Sequence, residues 1–93
     1  GEAAASLWRA AQLNPSDAQS AFNAALAFAG ARQLRDAELA LRETVRRDPR
    51  FDRAWYNLGL LLAQSNRATE AVAALETAER IAPRLFFSCF QTF

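Results

Sequence analysis

Histidine and lysine are absent from this 93-residue chain, and cysteine occurs once, at Cys89. Without histidine, the commonest metal ligand and the usual general base at neutral pH are both missing. One cysteine closes no internal disulfide, and Cys89 has no imidazole to activate it as a nucleophile. It reads as a buried or incidental thiol. The acidic residues form no metal-ligand cluster, and there is no Gly-rich phosphate loop, so no metal or other cofactor is expected. Glycine and proline number three each, too few for a chain dominated by loops. No run of about 18 apolar residues is present to span a membrane. The opening residues also lack the charged-then-apolar layout of a secretory leader. An excess charge of one sign is missing too. Eleven basic residues, all arginine, face ten acidic ones, giving a net charge of +1, which argues against a chief role in holding nucleic acid or anionic lipid. The compartment stays open, with the cytoplasm favoured.

What is present is helical. Hydrophobic residues make up 52% and charged residues 23%, a globular balance that excludes disorder. Alanine is abundant, and its high helix propensity predicts an all-α chain. At this length one domain with a modest core is expected.

The three prolines, Pro15, Pro49 and Pro83, are spaced 34 apart. A fixed period in this range is the signature of a repeat. Sliding the chain by 34 places Asn23 on Asn57, Ala25 on Gly59, Ala37 on Ala71 and Leu41 on Leu75. Ala3 and Leu7 then fall on Ala37 and Leu41. Each unit reads as two helices. The first opens after its proline, with Asp17 or Asp52 near the N-terminal end, where a carboxylate suits the helix dipole. It ends where Gly30 or Asn66 can take a left-handed cap. The second spans about Leu34 to Arg47, then Ala68 to Ile81, and stops just ahead of a proline. On its exposed side, Glu38–Arg42, Glu43–Arg47 and Glu76–Arg80 are i,i+4 pairs, each worth a few tenths of a kcal/mol.

The second unit resembles a tetratricopeptide repeat, whose pattern is W-x2-L-G-x2-Y…A-x3-F…A…P. Trp55, Leu58, Gly59, Leu62, Ala71, Leu75, Ala78 and Pro83 occupy its structural positions. Residues 52–85 carry the strong match and 18–51 a degenerate one, with Ala21 and Ala24 in place of large residues and Thr44 in place of an alanine. Residues 1–17 resemble the second helix of a truncated repeat, and 86–93 form a Phe-rich tail or short capping helix. The resemblance implies a right-handed superhelical stack of antiparallel helix pairs, a solenoid fragment of about two and a half repeats. Gly59, costly at the centre of a helix, is expected where Ala71 on the returning helix comes closest.

In this family the first helices line the concave side. The resemblance therefore implies a peptide or partner groove walled by Gln19, Phe22, Asn23 and Leu26, then Arg53, Tyr56, Asn57, Leu60 and Gln64. Asn23 and Asn57 share one repeat position. A side-chain amide offers donor and acceptor together and matches one peptide unit of an extended chain. Such a ladder resembles that of superhelical arrays in bacterial proteins and O-GlcNAc transferases. Alternatively, Asn57 is ordinary consensus and bonds locally or to water. Phe22 and Tyr56 are either groove anchors or covers between neighbouring repeats. Arg53 contacts an acidic ligand or is simply solvated. The carboxylate clamp of chaperone-binding members is excluded, because Phe22 and Leu26 stand at its first two positions.

Phe86, Phe87, Phe90 and Phe93 recur at helical spacing and break the repeat register. They either cap the last repeat or dock on another copy. The functional expectation is a non-catalytic protein–protein interaction scaffold binding an extended peptide or partner segment on its concave face. The alternative is a self-assembly element whose uncapped ends and Phe-rich tail mediate homo-oligomerisation. No feature of an enzyme is found, and neither nucleic acid nor membrane is an expected partner.

Overall fold

The computed structural model describes residues 2–83. The Phe-rich tail, with Phe86, Phe87, Phe90, Phe93 and Cys89, lies outside the described residues. Five helices and no strands occur among those described: α1 (Glu2–Leu13), α2 (Ala18–Gly30), α3 (Leu34–Arg47), α4 (Asp52–Gln64) and α5 (Ala68–Ile81). The all-α expectation is met. In place of one undivided domain, the chain separates into two compact units, Gly1–Pro49 and Arg50–Phe93. The physical reason is the repeat itself, since each helical hairpin assembles its core from local contacts. In the first unit α1 packs on α2 and α2 on α3; in the second α4 packs on α5.

Local chemistry sets the helix ends. Asp17 caps α2, its Oδ1 accepting from the backbone N–H groups of Gln19 (3.1 Å) and Ser20 (3.4 Å). The Ser20 hydroxyl donates to Asp17 Oδ2 at 2.7 Å and is the first cause holding that carboxyl below its usual range. Asp52 instead opens α4 as its first helical residue, acting through the dipole alone. α3 and α5 stop at Arg47 and Ile81 because Asp48 (φ −138°, ψ 94°) and Ala82 (φ −137°, ψ 81°) each precede a proline, whose ring disfavours helical geometry in the residue before it.

The turns inside both hairpins are of one kind. After α2, the N–H of Gln33 reaches Phe28 O at 2.9 Å and that of Arg32 reaches Ala29 O at 3.1 Å. After α4, Arg67 N–H reaches Leu62 O (3.0 Å) and Asn66 N–H reaches Ala63 O (3.2 Å). Both are Schellman caps, which need a left-handed residue. Asn66 supplies it at φ 59°, as expected, but in the first hairpin it is Arg32, at φ 64°, and not Gly30. Gly30 is the last residue of α2, and the 34-residue register carries the left-handed position to Arg32. Arginine is a poor choice there, because its Cβ crowds the following carbonyl. Arg32→Asn is expected to raise stability by roughly 0.5–1 kcal/mol, a part of the left-handed penalty. A thermal melt showing no rise would mean that the arginine conformation carries no strain.

The second hairpin explains the glycine in its centre. A Cβ built on Gly59 would lie 2.6 and 2.7 Å from Leu75 Cγ and Cδ2, and 3.2 Å from the Ala71 carbonyl oxygen. The close neighbour is thus chiefly the Leu75 side chain, with Ala71 meeting it through its backbone. Ala71 does come close, as expected, and the structure adds Leu75, whose side chain overlies the gap that the absent Cβ leaves. Leu58 and Leu62 are buried beside it, while Trp55 and Leu75 are half-buried. Pro83 is exposed.

In the first unit the Trp8 ring of α1 meets Phe28 of α2 edge-on, with centroids 6.5 Å apart. Thr44 is wholly buried where the repeat pattern has alanine. Its hydroxyl donates to Ala40 O at 2.7 Å, so the extra polar atom is satisfied within its own helix.

Candidate partner-binding surface

Each first helix buries one side and leaves a stripe open. In α2 the buried residues are Ala21, Phe22, Ala24, Ala25 and Phe28, and in α4 they are Ala54, Leu58, Gly59, Leu61 and Leu62. The opposite stripe of α2 holds Gln19, Asn23 and Leu26, all exposed. That of α4 holds Arg53, Leu60 and Gln64, exposed, and Asn57, half-buried. The spacings, i, i+4 and i+7, follow one face of a helix. The two stripes correspond at intervals of 34, with an asparagine and then a leucine in the same places.

Both asparagines bond first to the residue four positions back. Asn23 Oδ1 accepts from Gln19 Nε2 at 2.9 Å. Asn57 Nδ2 donates to the Arg53 carbonyl at 2.8 Å. An amide has two N–H donors and an acceptor with two lone pairs, so one local bond leaves capacity at either side chain for a partner. Beside each asparagine stands an exposed leucine, Leu26 at 47% and Leu60 at 40%.

Phe22 is not part of this surface. It is only 3% exposed, because its position on α2 turns it into the packed side of the helix. Tyr56 is half-buried.

Sequence reasoning missed Arg47. The side chain was expected on the exposed side of α3, paired only with Glu43. It is instead 4% exposed, and its Nη1 donates to the carbonyls of Asn14 (3.2 Å) and Asp17 (3.0 Å) in the turn between α1 and α2. Its Nε donates to Glu43 Oε2 at 2.7 Å. The signal was an arginine standing where the next repeat has Ile81. Glu43 also accepts from Arg46, and the two arginines, Arg46 foremost, hold its carboxyl down to about 2. Of the other expected pairs, Glu38–Arg42 closes at 3.0 Å, whereas Glu76–Arg80 is not among the ion pairs of the described residues. A depression of about 370 Å³ in the first unit has Trp8, Phe28, Arg9 and Asp36 among its lining residues, and the opposite charges favour no one ligand sign. Among the described residues there is no acidic, cysteine or histidine group able to hold a metal. No helix there is long and apolar enough to cross a membrane.

A repeated hairpin with small residues at its contact, a Schellman turn inside each unit and a proline after each second helix define a helical-repeat protein. The chain belongs to the tetratricopeptide repeat family, whose model matches residues 22–85. Among solved structures, MamA is similar, with a TM-score of 0.81 and 26% identity over 88% of this chain and 48% of MamA. YrrB, described as a tetratricopeptide-repeat protein with an unusual peptide-binding site, has a TM-score of 0.79 and 26% identity over 92% of this chain and 44% of its own. The chain thus spans about half the length of these structures. No curated protein sequence matches it.

Proposed function

We propose that this chain is a non-catalytic interaction scaffold that binds an extended peptide or partner segment, held on the open stripe of α2 in the first unit and on the open stripe of α4 in the second, each stripe by itself. The observation that carries this reading is the Asn–Leu pair, repeated 34 residues apart and open to solvent or half-open in both units. An amide can hold a peptide unit of an extended chain while the neighbouring leucine receives an apolar side chain. Membership of the repeat family and the peptide-binding description of YrrB support it. The near-neutral net charge fits a peptide better than a polyanion.

The affinity of these stripes alone is weak. Each amide bond contributes about 1 kcal/mol net, and ordering an extended ligand offsets much of that. The test uses peptides selected on the full chain from a random library. Asn23→Ala with Asn57→Ala is expected to weaken the selected peptides about 10- to 30-fold and to leave the thermal midpoint nearly unchanged, since Asn23 is exposed, Asn57 half-buried, and each bonds only within its own helix. Undiminished binding by the double variant would overturn the reading.

A further inference from the structure

In the first unit α1 and α3 each pack on α2. The lining of the depression of about 370 Å³ there includes Trp8, Arg9 and Gln12 of α1, Phe28 of α2, the α3 cap residue Gln33, and Asp36 of α3. Its size lies in the range of small-molecule sites. Phe28 is buried and Trp8 half-buried, their rings edge to face, whereas Arg9 and Asp36 are exposed. Neither charge has a hydrogen-bond or ion-pair partner among the described residues, so the two do not neutralise one another. This is not a property of the repeat pattern. One period on, Trp8 corresponds to Arg42, Phe28 to Leu62, Arg9 to Glu43 and Asp36 to Glu70. Both of those carboxylates are already paired, Glu43 with Arg46 and Arg47, and Glu70 with Arg67. On α1 the helical period puts Arg9 and Gln12 on the far side from Ala3, Leu7 and Ala10, the row that corresponds to the hairpin contacts of α3 and α5. A helix paired with that row would leave the depression open.

We propose that this depression binds a small zwitterion with an apolar body, the chemistry of a free aromatic amino acid. The Arg9 guanidinium receives the carboxylate, to which its planar fork is matched, and Asp36 receives the ammonium. Trp8 and Phe28 take the apolar body against their rings, and the amides of Gln12 and Gln33 can bond to either charged end. A ligand with one charge of either sign meets a like-charged residue along with its partner; only a ligand with both satisfies both. Arg9 and Asp36 are exposed, so each contributes modestly and the affinity is in the millimolar range. The site shares no residue with the stripes proposed to hold a peptide and stands independently of that reading.

The experiment titrates the full, isotope-labelled chain with L-phenylalanine and follows the indole N–H signals of Trp8 and Trp55 by NMR, assigned with Trp8→Phe. A saturable shift is expected at Trp8 and not at Trp55. Phenethylamine, which lacks the carboxylate, and hydrocinnamate, which lacks the ammonium, should each bind about 3- to 5-fold more weakly. Arg9→Gln should weaken L-phenylalanine by the same factor and leave phenethylamine no weaker. Asp36→Asn should likewise weaken L-phenylalanine while sparing hydrocinnamate. Both variants replace exposed residues, so their thermal midpoints should stay within about 4 °C of the parent. No saturable shift at Trp8 by about 20 mM ligand, or a singly charged analogue binding as tightly as L-phenylalanine, would overturn the proposal.

Discussion

Gly59→Leu is expected to destabilise the second hairpin by about 3 kcal/mol or more, the upper part of the range for overpacking a filled core. The new side chain would start within 2.7 Å of Leu75 Cγ and Cδ2, and the Ala71 carbonyl at 3.2 Å is backbone and cannot swing aside. Gly59→Ala tests the same contact more finely. Alanine favours the helix by about 1 kcal/mol, but overpacking costs about 1–3 kcal/mol, so the net effect is destabilising. Gly30→Ala should have the opposite sign. Nothing lies within 4 Å of a Cβ there and the backbone is not left-handed, so up to about 1 kcal/mol of stabilisation follows. Thermal melts of the three variants separate propensity from packing. If Gly59→Ala rose like Gly30→Ala, Leu75 would have to yield freely, and the tight contact would be refuted.

Arg47→Met should cost about 2–3 kcal/mol, measured by urea titration at neutral pH. Methionine keeps most of the apolar stem but removes the guanidinium that holds two carbonyls of the Asn14–Asp17 turn and the Glu43 carboxylate. Hydrogen bonds from a charged donor are worth about 1.5–3 kcal/mol each, and desolvation of the buried cation offsets part of their sum. Arg47→Lys should recover only a fraction, because an ammonium lacks the planar fork that reaches both carbonyls and carboxylate. A loss below about 0.5 kcal/mol, the scale of an ordinary exposed i,i+4 pair, would show that the tie to the turn contributes nothing.

The same cluster gives acid unfolding a definite direction. Glu43 is held down from 4.5 to about 2 in the folded chain, by Arg46 first and then Arg47. On acidification the unfolded chain takes up this proton before the folded one does. The stabilisation is therefore complete above about pH 4.5 and disappears as the pH falls through about 2. Glu43→Gln should melt below the parent chain at neutral pH, with the difference closing over that window. A difference independent of pH would mean that packing of the side chain, and not its charge, is responsible.

Much of this was legible in the chain itself. Pro49 and Pro83, each 34 beyond the last, end α3 and α5 because a proline dictates the backbone of the residue before it whatever the surroundings. Asn66 in its left-handed turn is local chemistry of the same sort. The misplaced residues share a different property. Phe22 was assigned to the groove by analogy with repeat position and Arg47 to solvent from its i,i+4 pairing with Glu43, yet Phe22 is buried and the Arg47 side chain is only 4% exposed. Gly30 looked like the cap because glycine tolerates the left-handed region most easily, but the register of the turn put the position at Arg32.

The sequence by itself therefore determined the family, the number of helices among residues 2–83 and the ends of α3 and α5. These depend on period, helix propensity and proline geometry, all encoded within a few residues of where they act. Only the tertiary structure decided that Leu75 overlies Gly59, that Phe22 is covered and that Arg47 turns inward to the Asn14–Asp17 carbonyls. Those outcomes depend on atoms some 16 to 33 residues away in the chain, and a side chain settles toward whichever neighbours the packed helices bring within reach.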